Sequence, residues 1–191
     1  MRTERLNAFT DGVMAIVITI MVLELPTPQG TDFRSLQPVL PLLGAYLLAF
    51  VNVGIFWSNH HHMMQAAKHV DGRVLWANNL LIFFITLIPL VIRWIGEEGI
   101  EPLPVASYGA VLVMAALSYL VLERALIAVD GEHSVVREAV GSRFKEWISL
   151  TSYGAAMGLA FFSPYISVAI YIAVSAMWLT PDRRFERWRR P

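Results

Sequence analysis

Residues 5–25, RLNAFTDGVMAIVITIMVLEL, decide the reading of this chain. An α-helix needs about 20 mostly apolar residues to cross the hydrocarbon core of a bilayer. This stretch supplies them and stops at Pro26 and Pro28. Five further runs of the same kind follow, over 36–63, 75–95, 105–123, 147–163 and 164–180. The fourth opens after Pro102 and Pro104, a helix-start signal. The last two share one apolar stretch that breaks at Ser163 and Pro164, and each has about 17 residues, the short end of the spanning range. The expected fold is an all-α integral membrane protein, a single domain over residues 1–191 with six transmembrane helices.

Composition points the same way. Of 191 residues, 56% are hydrophobic and 16% charged, against roughly a quarter charged in an average soluble domain. An ordinary soluble enzyme is set aside, as are disordered chains and nucleic-acid binders, which need low hydrophobicity or a clustered basic surface. Fifteen basic residues balance fifteen acidic ones, and cysteine is absent, which removes disulfides, thiolate metal sites and cysteine nucleophiles together.

The placement of the basic residues predicts orientation, because Lys and Arg are retained on the cytoplasmic side. With the N-terminus inside and six spans, that side receives Arg2, Arg5, Lys68, Arg73, Arg124, Arg137, Arg143, Lys145, Arg183, Arg184, Arg187, Arg189 and Arg190, and only Arg34 and Arg93 fall outside. Both termini are therefore expected in the cytoplasm, and the protein in the cell (plasma or inner) membrane. Arg2 and Arg5 before an apolar run superficially resemble a signal peptide, but no small-residue cleavage site follows. The segment 124–146 reads as a cytoplasmic loop with room for a short helix. The outer loop 96–104 carries Glu97, Glu98 and Glu101, either a cation-attracting vestibule or simply a solvated loop.

The first span is unusual in carrying Arg5, Asn7, Thr10, Asp11, Thr19 and Glu24. Polar groups at membrane depth are costly and face protein or water, so this helix is expected to be buried in the bundle. Arg5, Phe9, Gly12, Ile16, Thr19 and Leu23 recur at steps of four and three and form one stripe, with Ile20 beside it. Asn7 and Asp11 share a different face. The stripe reads either as a helix-packing seam or as a pore lining, in which symmetry copies of Ile16, Ile20 and Leu23 form apolar rings and Thr19 a ring of hydroxyls. Spacing leaves both open. A TVGYG filter, which would have decided the matter, is absent from the sequence.

The segment Arg5-x-x-x-Phe9-Thr10-Asp11-Gly12-Val13-x-Ala15-Ile16-x-x-Thr19 resembles the R-x-x-x-F-S-D signature of the lysosomal potassium channel transmembrane protein 175 and its prokaryotic relatives, with Thr10 where that family has Ser. Trp57-x-Asn59-His60-His61, Leu75-Trp76-x-Asn78, Leu87-Ile88-Pro89 and Trp178-Leu179-x-Pro181-Asp182-Arg183-Arg184 agree with it. The resemblance implies a six-helix subunit of a potassium-preferring cation-leak channel without cofactor, assembled as a homotetramer in the lipid bilayer with the first helices around a central pore. Carried across by position, the constriction falls on Ile16, Ile20 and Leu23 and the pore hydroxyls on Thr19. Monovalent cations are the permeant species.

Arg5, Asp11, Trp57, His60 and Asn78 fall near the cytoplasmic ends of the first three spans. Asp11 and Arg5 are expected to be held by His60, Trp57 or Asn78 from neighbouring helices, which would fix the rotation of the first helix; histidine pH sensing is the functional alternative. The triple His60-His61-His62 does not make a metal site, since consecutive helical residues point about 100 degrees apart. Glu24 and Glu123 read as span-end residues explained by snorkelling or solvent contact. Gly154-x-x-x-Gly158 reads as a helix-crossing motif, Trp94, Trp147, Trp178 and Trp188 as interfacial belts, and His69 and His133 as loop residues. The competing functions are a proton-coupled transporter using Asp11 or Glu24 and, more distantly, a haem protein or membrane enzyme using His60 and His61. No nucleophile, base and oxyanion set is recognisable for an enzyme.

Overall fold

The computed structural model describes residues 3–131, 134–140 and 143–179, with residues 139–140 described in backbone only. Arg2, His133, Trp188 and the tail with Asp182 and its five arginines lie outside the described residues. The chain forms α1 (Thr3–Leu23), α2 (Leu40–Ala66), α3 (Gly72–Thr86), α4 (Ile88–Glu98), α5 (Pro102–Asp130), α6 (Val135–Val140), α7 (Phe144–Leu159) and α8 (Pro164–Leu179).

Helix boundaries follow the local chemistry. After α1, a 3-10 turn over Phe33–Leu36 is capped by Asp32, whose carboxylate accepts from Ser35 N at 3.0 Å. Helix α2 starts at Leu40 with Pro41 in its first turn, because a proline there removes a donor that has no intrahelical partner anyway. Asp71 caps α3, accepting from the backbone N–H groups of Arg73 and Val74 at 2.9 and 3.0 Å. The run expected to be one span is two helices that meet at Leu87, with Pro89 in the first turn of α4. Taken together, Gly72–Glu98 is still long and apolar enough to cross a membrane, as are α1, α2 and α5. Helices α7 and α8 have 16 residues each. Helix α5 runs on for 29 residues to Asp130, so much of the expected loop 124–146 is helical.

Helix α5 is the hub, packed against α3, α4, α7 and α8, while α1 packs against α2, α3 and α4. The core is aliphatic and methionine-rich, with Met14, Met21, Met63, Leu81, Ile85 and Leu112 fully buried. Gly109 lets α8 approach α5 closely: a Cβ there would lie 2.1 Å from the Tyr171 hydroxyl. By contrast a Cβ on Gly154 or Gly158 would meet nothing within 4 Å, so that among the described residues the pair makes no helix crossing.

Candidate functional site

Helix α1 has two faces of opposite character. Leu6, Thr10, Met14, Val17 and Met21 are buried against α2, α3 and α4. Arg5, Phe9, Gly12, Ile16, Thr19, Ile20 and Leu23 all lie on the exposed face, with Ile16 58% and Leu23 80% exposed. The expectation that this helix is buried in the bundle therefore holds for one stripe only. Its own subunit covers the side that carries Thr10 and leaves the Ile16 side bare. The Thr19 hydroxyl donates to the Ile16 carbonyl at 2.9 Å, which occupies its proton and leaves the oxygen lone pairs as acceptors.

The buried face is held by a polar chain across three helices. Asn78 of α3 donates through Nδ2 to Thr10 Oγ1 of α1 at 2.9 Å. Its Oδ1 lies 2.8 Å from His60 Nε2 of α2, and because an amide oxygen only accepts, His60 carries a proton on Nε2. All three side chains are fully buried. At the rim, Trp57 Nε1 donates to Asp11 Oδ1 at 2.9 Å, and the Trp57 ring stacks on His61 with centroids 5.8 Å apart. Of the partners expected for Asp11, Trp57 bonds to it, whereas Asn78 bonds to Thr10 and His60 to Asn78. Arg5 is exposed and, among the described residues, makes no ion pair with Asp11, because it lies on the Ile16 stripe rather than on the face of Asp11.

Glu123 departs from the sequence reading, whereas Glu24 lies at the end of α1 as expected. Glu123 is fully buried and ion-paired with Arg143, because α5 continues past it and α7 begins beside it. Glu24 lies 3.5 Å from Arg93 of α4. Among the described residues no cluster of three or more His, Asp or Glu is placed to hold a metal ion.

The profile of the family described as "Endosomal/lysosomal potassium channel TMEM175" matches residues 5–89. A protein named potassium channel from Chryseobacterium sp. (strain P1-3) is 48% identical over 183 residues, covering 96% of this chain and 95% of that protein. This chain belongs to the TMEM175 family. The family is one of channels, not enzymes, and this member is a multi-pass membrane protein. Its fold matches the crystal structure of a lysosomal potassium-selective channel TMEM175 homolog from Chamaesiphon minutus, with a TM-score of 0.76, 25% identity, and coverage of 93% of this chain and 96% of that one. The human endosomal/lysosomal proton channel TMEM175 is 30% identical over 111 residues, covering 52% of this chain and 22% of the human protein.

In this TMEM175 member a second polar network, on the other side of α2, escaped the sequence reading. Asn52 Nδ2 donates to the Tyr108 hydroxyl of α5 at 2.9 Å, and Ser175 Oγ of α8 lies 3.2 Å from Asn52 Oδ1. Farther along α2, the Tyr119 hydroxyl donates to the Asn59 carbonyl at 3.2 Å, and Trp178 Nε1 donates to Ser149 Oγ at 2.7 Å. Trp178 is half-buried, with its indole nitrogen bonded to α7. The signal in the sequence is Asn52 alone, an amide in the middle of an apolar run; the carbonyl of residue 59 carries none.

Proposed function

We propose that the chain is one subunit of a potassium-preferring cation-leak channel, a homotetramer in which four α1 helices surround the pore. Ile16, Ile20 and Leu23 form its apolar constriction and Thr19 a hydroxyl layer. Six membrane crossings, the last two made by α7 and α8, put both termini in the cytoplasm and most basic residues on that side.

The observation that carries this reading is the bare face of α1. It combines large aliphatics with Arg5, Gly12 and Thr19 and is flanked by Asp11. A face of that composition does not suit lipid, because charged and hydroxyl groups at membrane depth belong against protein or water. Around a symmetry axis it meets both demands. The aliphatic side chains close on one another, while the polar groups face a water-filled path.

An aliphatic ring closed to ions works by dewetting: an ion crossing it sheds water and gains nothing in return. Opening requires the α1 helices to tilt or rotate outward, so that Thr19 oxygens replace part of the hydration shell. Potassium holds its water less tightly than sodium, and a partly dehydrating constriction therefore favours it modestly. The Thr10–Asn78–His60 chain and the Asp11–Trp57 bond fix the rotation of α1, and so decide which residues face the axis.

The test is the reversal potential under a potassium-to-sodium gradient, with purified protein in a planar bilayer and Ile16→Asn alongside. The expected result is a potassium-biased current that the substitution enlarges. Silence from both proteins, with proton-driven uptake in liposomes, would replace this reading with a coupled transporter using Asp11 or Glu24.

A further inference from the structure

We infer that Arg93 sets the electrostatic field at the mouth of the pore nearest Pro26, acting as a fixed countercharge that limits cation entry; the inference rests on the reading of α1 as the pore helix. Helix α1 ends at Leu23, the outermost of the three aliphatic positions, and Glu24 follows directly. The Glu24 carboxylate is therefore the first formal charge beyond the constriction. Arg93 reaches it from α4, with Nη1 3.5 Å from Glu24 Oε2, while its Nε donates to Glu97 Oε1 at 2.8 Å.

The platform that presents Arg93 is rigid. Ile88, Ile92 and Ile95 bury one side of α4 in the core. One turn beyond Ile92, Gly96 lies so close to α2 that a Cβ there would come within 2.5 Å of Leu42 Cδ1. The backbone of Arg93 is thus held beside the end of α1, and the contacts to Glu24 and Glu97 place its guanidinium there. Its side chain is 56% exposed and that of Glu24 30%, so the pair acts on the solvent of the mouth rather than as a buried lock. A surface pair contributes little to stability. The field it leaves behind, however, acts on every ion that approaches. The Glu24, Glu97 and Arg93 side chains together carry one negative charge, and removing Arg93 leaves two. Fixed charges lining a mouth with low-dielectric walls raise or lower the local concentration of permeant ions.

The experiment is unitary potassium current carried by ions entering from the Pro26 side, in planar bilayers at 10 mM and at 1 M salt. Charges act over about 30 Å at the lower concentration and about 3 Å at the higher. Arg93→Gln is expected to raise unitary conductance about two- to threefold at 10 mM and to converge on the wild type at 1 M. Arg93→Lys keeps the charge and is expected to stay near wild type at both concentrations. Adding Glu24→Gln to Arg93→Gln is expected to remove most of the gain. Conductance of Arg93→Gln that is unchanged at 10 mM, or a gain that Arg93→Lys shares or that the double variant keeps, would overturn the inference. If wild type and Ile16→Asn carry no current in the same bilayers, the pore reading fails and takes this inference with it. A working, Ile16-dependent channel that is indifferent to Arg93 refutes the inference alone.

Discussion

Replacing Asn78 by leucine tests whether the buried polar chain anchors α1. The two side chains are of similar size, so the change removes hydrogen bonds without opening a large cavity. It leaves the His60 Nε2–H and the Thr10 hydroxyl, 2.8 and 2.9 Å from the lost amide, without their partner and fully buried. In a water-soluble core two such orphans would cost about 1–3 kcal/mol each. Within a bilayer the unfolded helices also find partners, and an interhelical hydrogen bond contributes about 0.6–1.7 kcal/mol. Two bonds therefore predict a loss of about 1–3 kcal/mol. The assay is SDS-titrated unfolding of purified protein in mixed micelles, run as a cycle with Thr10→Val. Thr10→Val alone removes only the bond to Asn78, so the double variant is expected to be more stable than the sum of the two losses implies by about 1 kcal/mol. Additivity within about 0.5 kcal/mol, the scatter of unconnected sites, would refute the claim that Asn78 couples α1 to α3.

Two further outcomes follow from single contacts. Gly109→Ala places a methyl group 2.1 Å from the Tyr171 hydroxyl; the overpacking is expected to cost about 1–3 kcal/mol, measured by the same titration, and Tyr171→Phe in the same chain is expected to recover part of it. Arg143→Ala strands the fully buried Glu123 carboxylate and is expected to cost about 3 kcal/mol, the lower end of the range for breaking a buried pair, because the Arg143 side chain is itself 34% exposed. Arg143→Ala with Glu123→Gln, measured alongside, is expected to be the more stable of the two variants, and the reverse order would show that the pair is not what holds α7 to α5.

What could be read in advance depended on whether one chain carries the information. The division of α1 into stripes is a matter of helical period, and the stripe of Ile16, Thr19 and Leu23 emerged from spacing as the same set that its own subunit leaves exposed. Which stripe would face the subunit could not be read that way, because both contain large aliphatics and at least one hydroxyl. Met14, Val17 and Met21 fill the core, yet their hydrophobicity does not distinguish them from Ile16 and Ile20. Glu123 was misjudged for a different reason: its place at a span end depended on where α5 stops, and no proline or glycine ends that helix before Gly131. The break at Leu87 lies two residues before Pro89, and the apolar continuity of the run hides it in the sequence.

Helix α2 accounts for how one-sided packing of α1 is maintained. Its His60 and Trp57 side chains serve α1 and α3, whereas Asn52 and the carbonyl of Asn59 bond to α5 and α8. Apart from the Asp11 carboxylate at the exposed rim, each set uses amide, imidazole, indole, hydroxyl or backbone carbonyl groups rather than paired charges, which a bilayer would penalise more heavily. A hydrophobic seam gives α1 no preferred rotation in a bilayer, since lipid tails are as apolar as its aliphatic side chains. Directional bonds to Thr10 and Asp11 do give one, the first from the buried side of the helix and the second from the edge of its exposed face. The polar residues of α1 are therefore sorted by face, with Thr10 and Asp11 bonded to neighbouring helices and Thr19 on the stripe that those helices leave exposed.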